Sequence, residues 1–219
     1  MYYSLQFLFQ CAGDFEKVEF LHMVSVPFTD QAITYTTGLD GYPAFQFSLE
    51  SHVQKPALEF IERVGSSFAI TAVVRPDKDE GGYLFAITNP TDTVVQFGLE
   101  IARNDVSGGS KIVLHYSGSR RRVSSSSSIA EFTGMLMTGR WTKFGLKVKN
   151  GNVSLFQDCT RDTSVSLLDP LEGLTFEENS KAYMAQAGSR IGRKFVVSLF
   201  FYVFQLINCK WVLRNNVDV

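Results

Sequence analysis

Residues 66–101 read SSFAITAVVRPDKDEGGYLFAITNPTDTVVQFGLEI, and their pattern decides the fold. In 68–74 every residue is β-branched, aromatic or Ala, and Pro76 with the charged, Gly-ended run 77–82 stops the strand. A second apolar run covers 83–88. Asn89-Pro90-Thr91-Asp92 then makes a turn from residues that each favour one. In 93–101, Val95, Phe97, Leu99 and Ile101 fall on one side while Gln96, Gly98 and Glu100 fall on the other. That period of two is what a strand with one buried face needs. The stretch predicts three strands in an antiparallel meander at the centre of an all-β, antiparallel β-sandwich.

Working outward, the flanks carry the same signals. Residues 15–26, 31–36 and 44–49 are strand candidates, separated by a turn at 39–43, and 52–61 reads as a loop or a short helical turn. Beyond the meander come a strand at 111–116, a Ser-rich loop SGSRRRVSSSSS at 117–128, and a strand within 129–137. Residues 141–149 alternate, with Phe144, Leu146 and Val148 inward and Lys143, Lys147 and Lys149 outward. Asn150-Gly151 predicts a type I′ hairpin, since both positions tolerate a positive φ. The return strand is 153–159, and 167–176 and 181–188 supply further short strands. Roughly ten to twelve strands at this spacing suit a sandwich.

At 219 residues the chain is long enough for one domain with a sizeable core, and 19 Phe and 17 Gly suit strands joined by tight turns. The net charge of −1 makes no global argument for nucleic acid or an anionic membrane, so any electrostatic function is local. The three cysteines, Cys11, Cys159 and Cys209, are an odd number and do not make a disulfide framework. Residues 1–13 have a short apolar run without a positively charged start, which is a poor signal peptide.

GGYLFAITNPTDTVVQFGLEI, RWTKFGLKVKNGNVSLFQDC and LEGLTFEENSKAYMAQAGSRIGRKF together resemble the laminin-G-like, thrombospondin-N-terminal-like domain, closest to that of the multiplexin collagens. The resemblance runs over residues 14–196. It implies a concanavalin-A-like jelly roll, secretion, and a place in extracellular matrix near basement membranes among other matrix proteins. It also implies a bond from Cys159 to a cysteine just after the last strand. Cys209 is the downstream candidate, in a tail that departs from the family, so Cys159 is expected to stay free. No Gly-X-Y repeat is present.

Catalytic patterns are missing. His22, His52 and His115 are far apart, with no partner at ligand spacing, and His115 is expected on a sheet surface. Asp77, Asp79 and Glu80 sit in a turn rather than in the strand alternation a glycosidase pair uses, and Glu177-Glu178 lacks that alternation too. The expectation is a non-enzyme. Calcium is a lesser alternative, held by Asp77, Asp79, Asp92 and Asp105 if these loops converge at one rim. The preferred partner is heparin or heparan sulfate. Arg120, Arg121 and Arg122 supply guanidinium forks for sulfate, and Lys143, Lys147 and Lys149 extend the basic surface. A lectin of the same fold is the alternative. Asn152-Val153-Ser154 is the usable glycosylation sequon, because Pro90 blocks the one at Asn89.

Residues 197–219, VSLFFYVFQLINCKWVLRNNVDV, form an atypical hydrophobic tail. The apolar run 195–207 is shorter than the roughly twenty residues of a spanning helix, so a membrane span is the minority reading. Val197-Ser198 is encodable by GTAAGT, a splice-donor sequence. Phe7-Leu8-Phe9-Gln10 is encodable by a pyrimidine tract ending in CAG, so both edges read as translated intron. If the tail adds a strand, the expectation is an edge strand with Phe200, Tyr202 and Phe204 outside.

Overall fold

The computed structural model describes residues 17–59, 65–106, 108–117, 128–135, 137–157, 160–168 and 171–206. Among them, fourteen strands form two antiparallel sheets around one core. The first seven are β1 (Lys17–Glu19), β2 (Ile33–Thr37), β3 (Pro43–Phe47), β4 (Val53–Pro56), β5 (Phe68–Pro76), β6 (Gly81–Thr88) and β7 (Val95–Arg103). The rest are β8 (Ser110–Tyr116), β9 (Ser128–Met135), β10 (Thr142–Lys149), β11 (Asn152–Gln157), β12 (Thr160–Ser166), β13 (Lys181–Met184) and β14 (Val197–Leu206). The larger sheet has the order β12-β11-β10-β5-β14-β3-β2, with β1 also paired to β14, and the smaller has the order β4-β13-β6-β7-β8-β9. The expected antiparallel sandwich is therefore present.

Its centre differs from the expectation in one respect. β6, β7 and β8 do run as a meander, but β5 lies in the other sheet, between β10 and β14. The charged turn after Pro76 carries the chain across the sandwich instead of folding β6 back onto β5. Alternation reports which residues face a core, not which sheet a strand joins. β5 is central, and its residues from Phe68 to Val74 are all buried, on both faces. This is why that segment reads as a continuous apolar run. Phe68 and Phe97 meet edge to face across the two sheets at 5.7 Å between ring centroids. Such a pair adds about 1 kcal/mol beyond its buried area.

The hairpin at Asn150-Gly151 forms as expected, with φ of 51° and 71°, and Lys149 sits opposite Asn152. Between Asp158-Cys159, which lie outside the described residues, and Leu167, the chain adds β12, a strand the alternation did not single out. Residues 171–176 hold only an isolated bridge at Leu174. Within the ambiguous 52–61 region, the described residues, up to 59, form β4 and a 3-10 turn at Ala57–Glu59. The tail corrects a second expectation. β14 is no edge: it pairs with β5 along one side and with β3 and then β1 along the other. A bulge between Leu199 and Phe201 shifts its register, so that Tyr202 lies opposite Ala72 and Phe204 opposite Ile70. Among the described residues no helix is long and apolar enough to cross a membrane.

Candidate functional site

The two outer faces of the sandwich carry different chemistry. On the larger sheet, Phe144, Leu146 and Val148 of β10 fill the core, which leaves Lys143, Lys147 and Lys149 on the outer side. The expected row is thus present. Lys143 and Lys147 are half-buried and Lys149 is exposed. Lys143 sits opposite Val73 of β5, and Arg75, two residues further on, lengthens the row. The Arg75 guanidinium stacks 5.2 Å from the Trp141 ring centre and lies 3.3 Å from Ser198 Oγ and 3.8 Å from Asp77 Oδ1. Beyond Lys147 and Lys149, the neighbouring strands present Asn152, Ser154, Ser164 and Ser166. Ser154 and Ser164 share a hydrogen bond of 2.9 Å, and Ser166 Oγ donates to Asn152 Oδ1 at 2.8 Å. The row runs about 20 Å from Lys143 to Lys149, at the strand rise of roughly 3.3 Å per residue.

Arg120, Arg121 and Arg122 lie outside the described residues, as do Cys159 and Cys209. The strands flanking the arginine segment, β8 and β9, belong to the smaller sheet. Asn152 is exposed on β11, immediately after the hairpin tip.

The four aspartates named for calcium do not converge. Asp77 and Asp79 precede β6 and Asp105 follows β7 at the same end, where Gly81 pairs Ala102, whereas Asp92 lies beyond the other end of β6. Eight residues of strand separate the two ends by about 26 Å. Each carboxylate is already engaged. Asp77 accepts from Gln46, Asp79 accepts from Thr138, and Asp105 lies 3.3 Å from Arg103. Among the described residues no cluster of three or more His, Cys, Asp or Glu is placed to hold a metal ion.

The outer face of the smaller sheet holds what the sequence reading missed. After β13 the chain forms a tight hairpin, 185–195, that starts beside β6 and folds over the sheet. Ala185 N donates to Leu84 O, Tyr83 N to Arg193 O, and Phe195 N to Ala185 O, at 2.8–3.3 Å. The tip contains one helical turn, Gly188–Ile191, and Ala187 and Ile191 pack on Tyr83, Ala86 and Val95 as a second small core. This cover explains why Glu100 and His115, which do face outward as the alternation said, are nevertheless buried. His115 Nε2 donates to Glu100 Oε2 at 2.8 Å, and Arg193 of the hairpin reaches Glu100 Oε1 at 2.7 Å. Burial beside Glu100 pushes the Tyr83 phenol up to about 12, with burial the larger cause and the Glu100 charge the next.

Asp92 pins the same hairpin. It is 4% exposed, at φ 55°, and its carboxylate accepts from Thr88 Oγ1 (2.8 Å), Tyr183 OH (3.0 Å) and Ser189 Oγ (3.2 Å). Lys181 Nζ adds a contact at 3.4 Å. Gly188 comes so close that a Cβ there would lie 2.8 Å from Asp92 Cγ. In sequence Asp92 was a turn residue and a candidate calcium ligand, with no sign of this role.

A cleft of about 190 Å³ lies between the 23–30 segment and β4, lined in part by Phe28, Asp30, His52, Gln54 and Lys55.

No family model matches the chain. It is 27% identical over 181 residues to the human (Homo sapiens) collagen alpha-1(XVIII) chain, covering 82% of this chain and 10% of that one. The chain thus spans about a tenth of the length of that relative. Among solved structures it is similar to the LG4-5 domains of mouse laminin alpha1 chain, with TM-score 0.53 and 14% identity over 95% of this chain and 48% of that one. It is also similar to domain 4 of an extracellular arabinanase from Geobacillus stearothermophilus in complex with arabinotriose, with TM-score 0.51 and 14% identity over 88% and 82% of the two chains. The structural likenesses are likenesses of fold. With the sequence match, they bear out the resemblance to multiplexin collagens and the laminin-G-like sandwich.

Proposed function

We propose that this chain, similar to part of a collagen XVIII chain, is a non-catalytic, secreted matrix module that binds heparin or heparan sulfate. The observation that supports it best is the row of Arg75, Lys143, Lys147 and Lys149 on the outer face of the larger sheet, flanked by the hydroxyl and amide groups of β11 and β12. A linear array of cations on a rigid strand suits a linear polyanion. The neighbouring hydroxyls can hydrogen-bond sulfate and sugar oxygens between the charges. Arg120, Arg121 and Arg122 are proposed as further contacts. Each cation that meets a sulfate releases a counterion, so affinity should fall steeply with salt, as it does for phosphate polymers.

The test is heparin chromatography of two variants, one with Lys143, Lys147 and Lys149 replaced by Ser and one with Arg120, Arg121 and Arg122 replaced by Ser. Both are expected to elute at lower salt and to keep a cooperative thermal transition, because none of these residues belongs to the apolar core. Elution of both at the parent's salt would remove the proposal. Asn152 is proposed as the glycan acceptor in a secreted form. Asn152→Gln should then lose the mass that a peptide N-glycosidase removes from the parent, and an unchanged mass would show an empty sequon.

The second reading is a lectin. The cleft beside β4 favours it, because Phe28 offers an aromatic surface while His52, Gln54 and Lys55 offer polar groups. The arabinanase domain with arabinotriose is a related fold holding a sugar. On a glycan array a lectin binds neutral sugars in a salt-insensitive way, and the heparin reading predicts the reverse.

A further inference from the structure

The hairpin 185–195 carries Arg190, Arg193 and Lys194 on the face of the sandwich opposite the lysine row. We infer that these three cations form a second polyanion site, so that one domain can hold two sulfated glycan chains at once, one on each outer face. The inference rests on the reading of sulfated glycan as the ligand and adds a site and a bridging activity to it.

Three observations carry it. First, the cations are exposed and two of them are unspent. Arg190 and Lys194 are exposed, and among the described residues no ion pair or hydrogen bond engages either, whereas the carboxylates of Asp92 and Glu100 are already matched. Asp92 is matched by Lys181 and its hydroxyl donors, and Glu100 by Arg193 and His115. Arg193 is half exposed at 50%, so its guanidinium has an edge open to solvent while Glu100 holds the other. Second, the hairpin is fixed from both sides. Its backbone bonds to β6, Ala187 and Ile191 sit on the small outer core, and Ser189 is tied to Asp92. Ordering cost on binding is therefore largely met in advance. Third, the faces are opposed. The hairpin covers the smaller sheet and the lysine row lines the outside of the larger. With stacked sheets roughly 10 Å apart and a layer of side chains outside each, one oligosaccharide cannot lie along both rows.

A chain bound on each face makes the domain a cross-bridge between two glycosaminoglycan chains. A single face would make it a decoration on one. Lys111 lies on the same outer face but is paired with Glu131 at 3.2 Å, so the hairpin's own cations are the ones assigned.

The experiment is calorimetric titration with a heparin hexasaccharide of the full chain and of two variants, Arg190→Ser with Lys194→Ser, and Lys143, Lys147 and Lys149 to Ser. Arg193 is left in place because Glu100 depends on it. The expected result is two hexasaccharides per parent chain and one per chain for each variant, with a cooperative thermal transition kept in all three. A long heparin chain should also raise the light scattering of the parent and not of either variant. A parent stoichiometry of one that the lysine variant abolishes would overturn the second site and leave the heparin reading standing. Two bound hexasaccharides in the Arg190→Ser, Lys194→Ser variant would move the second site away from the hairpin and overturn the assignment. No binding by the parent would overturn both.

Discussion

Asp92→Ala is expected to lower the stability of the fold by about 3 kcal/mol, because it removes the acceptor for several buried donors at once. Thr88 and Tyr183 are 0% and 1% exposed, and their hydroxyls both turn to this carboxylate. Tyr183 has a second acceptor, Gln54 Oε1 at 3.1 Å, so part of its cost is recoverable. Among the described residues the Thr88 hydroxyl has no second acceptor, so it carries the larger penalty. The contact with half-exposed Lys181 adds little, as exposed ion pairs do. The backbone adds a further cost, since φ at this residue is 55°, a conformation Asp and Asn tolerate better than Ala. Asp92→Asn keeps both the backbone tolerance and one acceptor oxygen, and should cost about 1 kcal/mol. Urea unfolding of the two variants decides the matter. A loss below about 1 kcal/mol in the Ala variant would mean that the hydroxyls find other partners.

The same carboxylate sets an acid limit. Burial alone would raise its pKa, but hydrogen bonds from Thr88 and Tyr183 and the charge of Lys181 outweigh burial and hold it below the ordinary range. A carboxyl that is more acidic folded than unfolded contributes stability above the unfolded value of about 3.9, and loses it as pH falls through the folded value. The stability gap between parent and Asp92→Ala should therefore be full at neutral pH and narrow below about pH 4, where the backbone part of the cost remains. Tyr83 has the opposite sign. Its raised pKa favours the fold below the ordinary phenol value of 10.0, and that contribution disappears as pH rises towards about 12.

How much of this was legible in the sequence depended on range. Local geometry was readable. The faces of β7 and β10 follow from alternation, and Asn150-Gly151 follows from two residues that accept positive φ. Long-range choices were not. Nothing in 68–76 says that its partners are β10 and β14 instead of the next strand along, because a strand buried on both faces suits either sheet. Asp92 appears in a Pro-Thr-Asp turn, and the residue that makes it a hub, Tyr183, is 91 positions away. The basic hairpin was in view as SRIGRK, but only as part of a family resemblance. Its meaning comes from Ala187 and Ile191, whose apolar contacts set it against the sheet. One signal was available. Tyr83, Glu100 and His115 all fall on the outward phase of their strands, and a Tyr, a Glu and a His opposed on one sheet face invite a cover.

A chain ending at Val196 is expected not to fold into this sandwich, and this is the largest effect anticipated for any change discussed. β14 fills the larger sheet between β5 and the β3 and β1 strands, in register with β5 from Val197 opposite Pro76 to Leu206 opposite Phe68. Without it, the inner half of the sheet, β12-β11-β10-β5, ends at an open β5 edge, and β3 and β2 lose their connection to it. β5 is buried on both faces and carries no edge-blunting features along 68–74, so its exposed ladder would seek a strand from another chain. The lost burial of Val197 and Leu199, 0% and 1% exposed, is worth about 2 kcal/mol for each side chain. Ser198 Oγ, with Arg75 at 3.3 Å, goes as well. Stabilities of whole domains are only about 5–15 kcal/mol, so losing a central strand exceeds what the remaining sheet can supply. Circular dichroism of the truncated chain should show no cooperative thermal transition, and gel filtration should show association. A truncated monomer melting cooperatively at the full chain's temperature would place β14 outside the fold's cooperative unit.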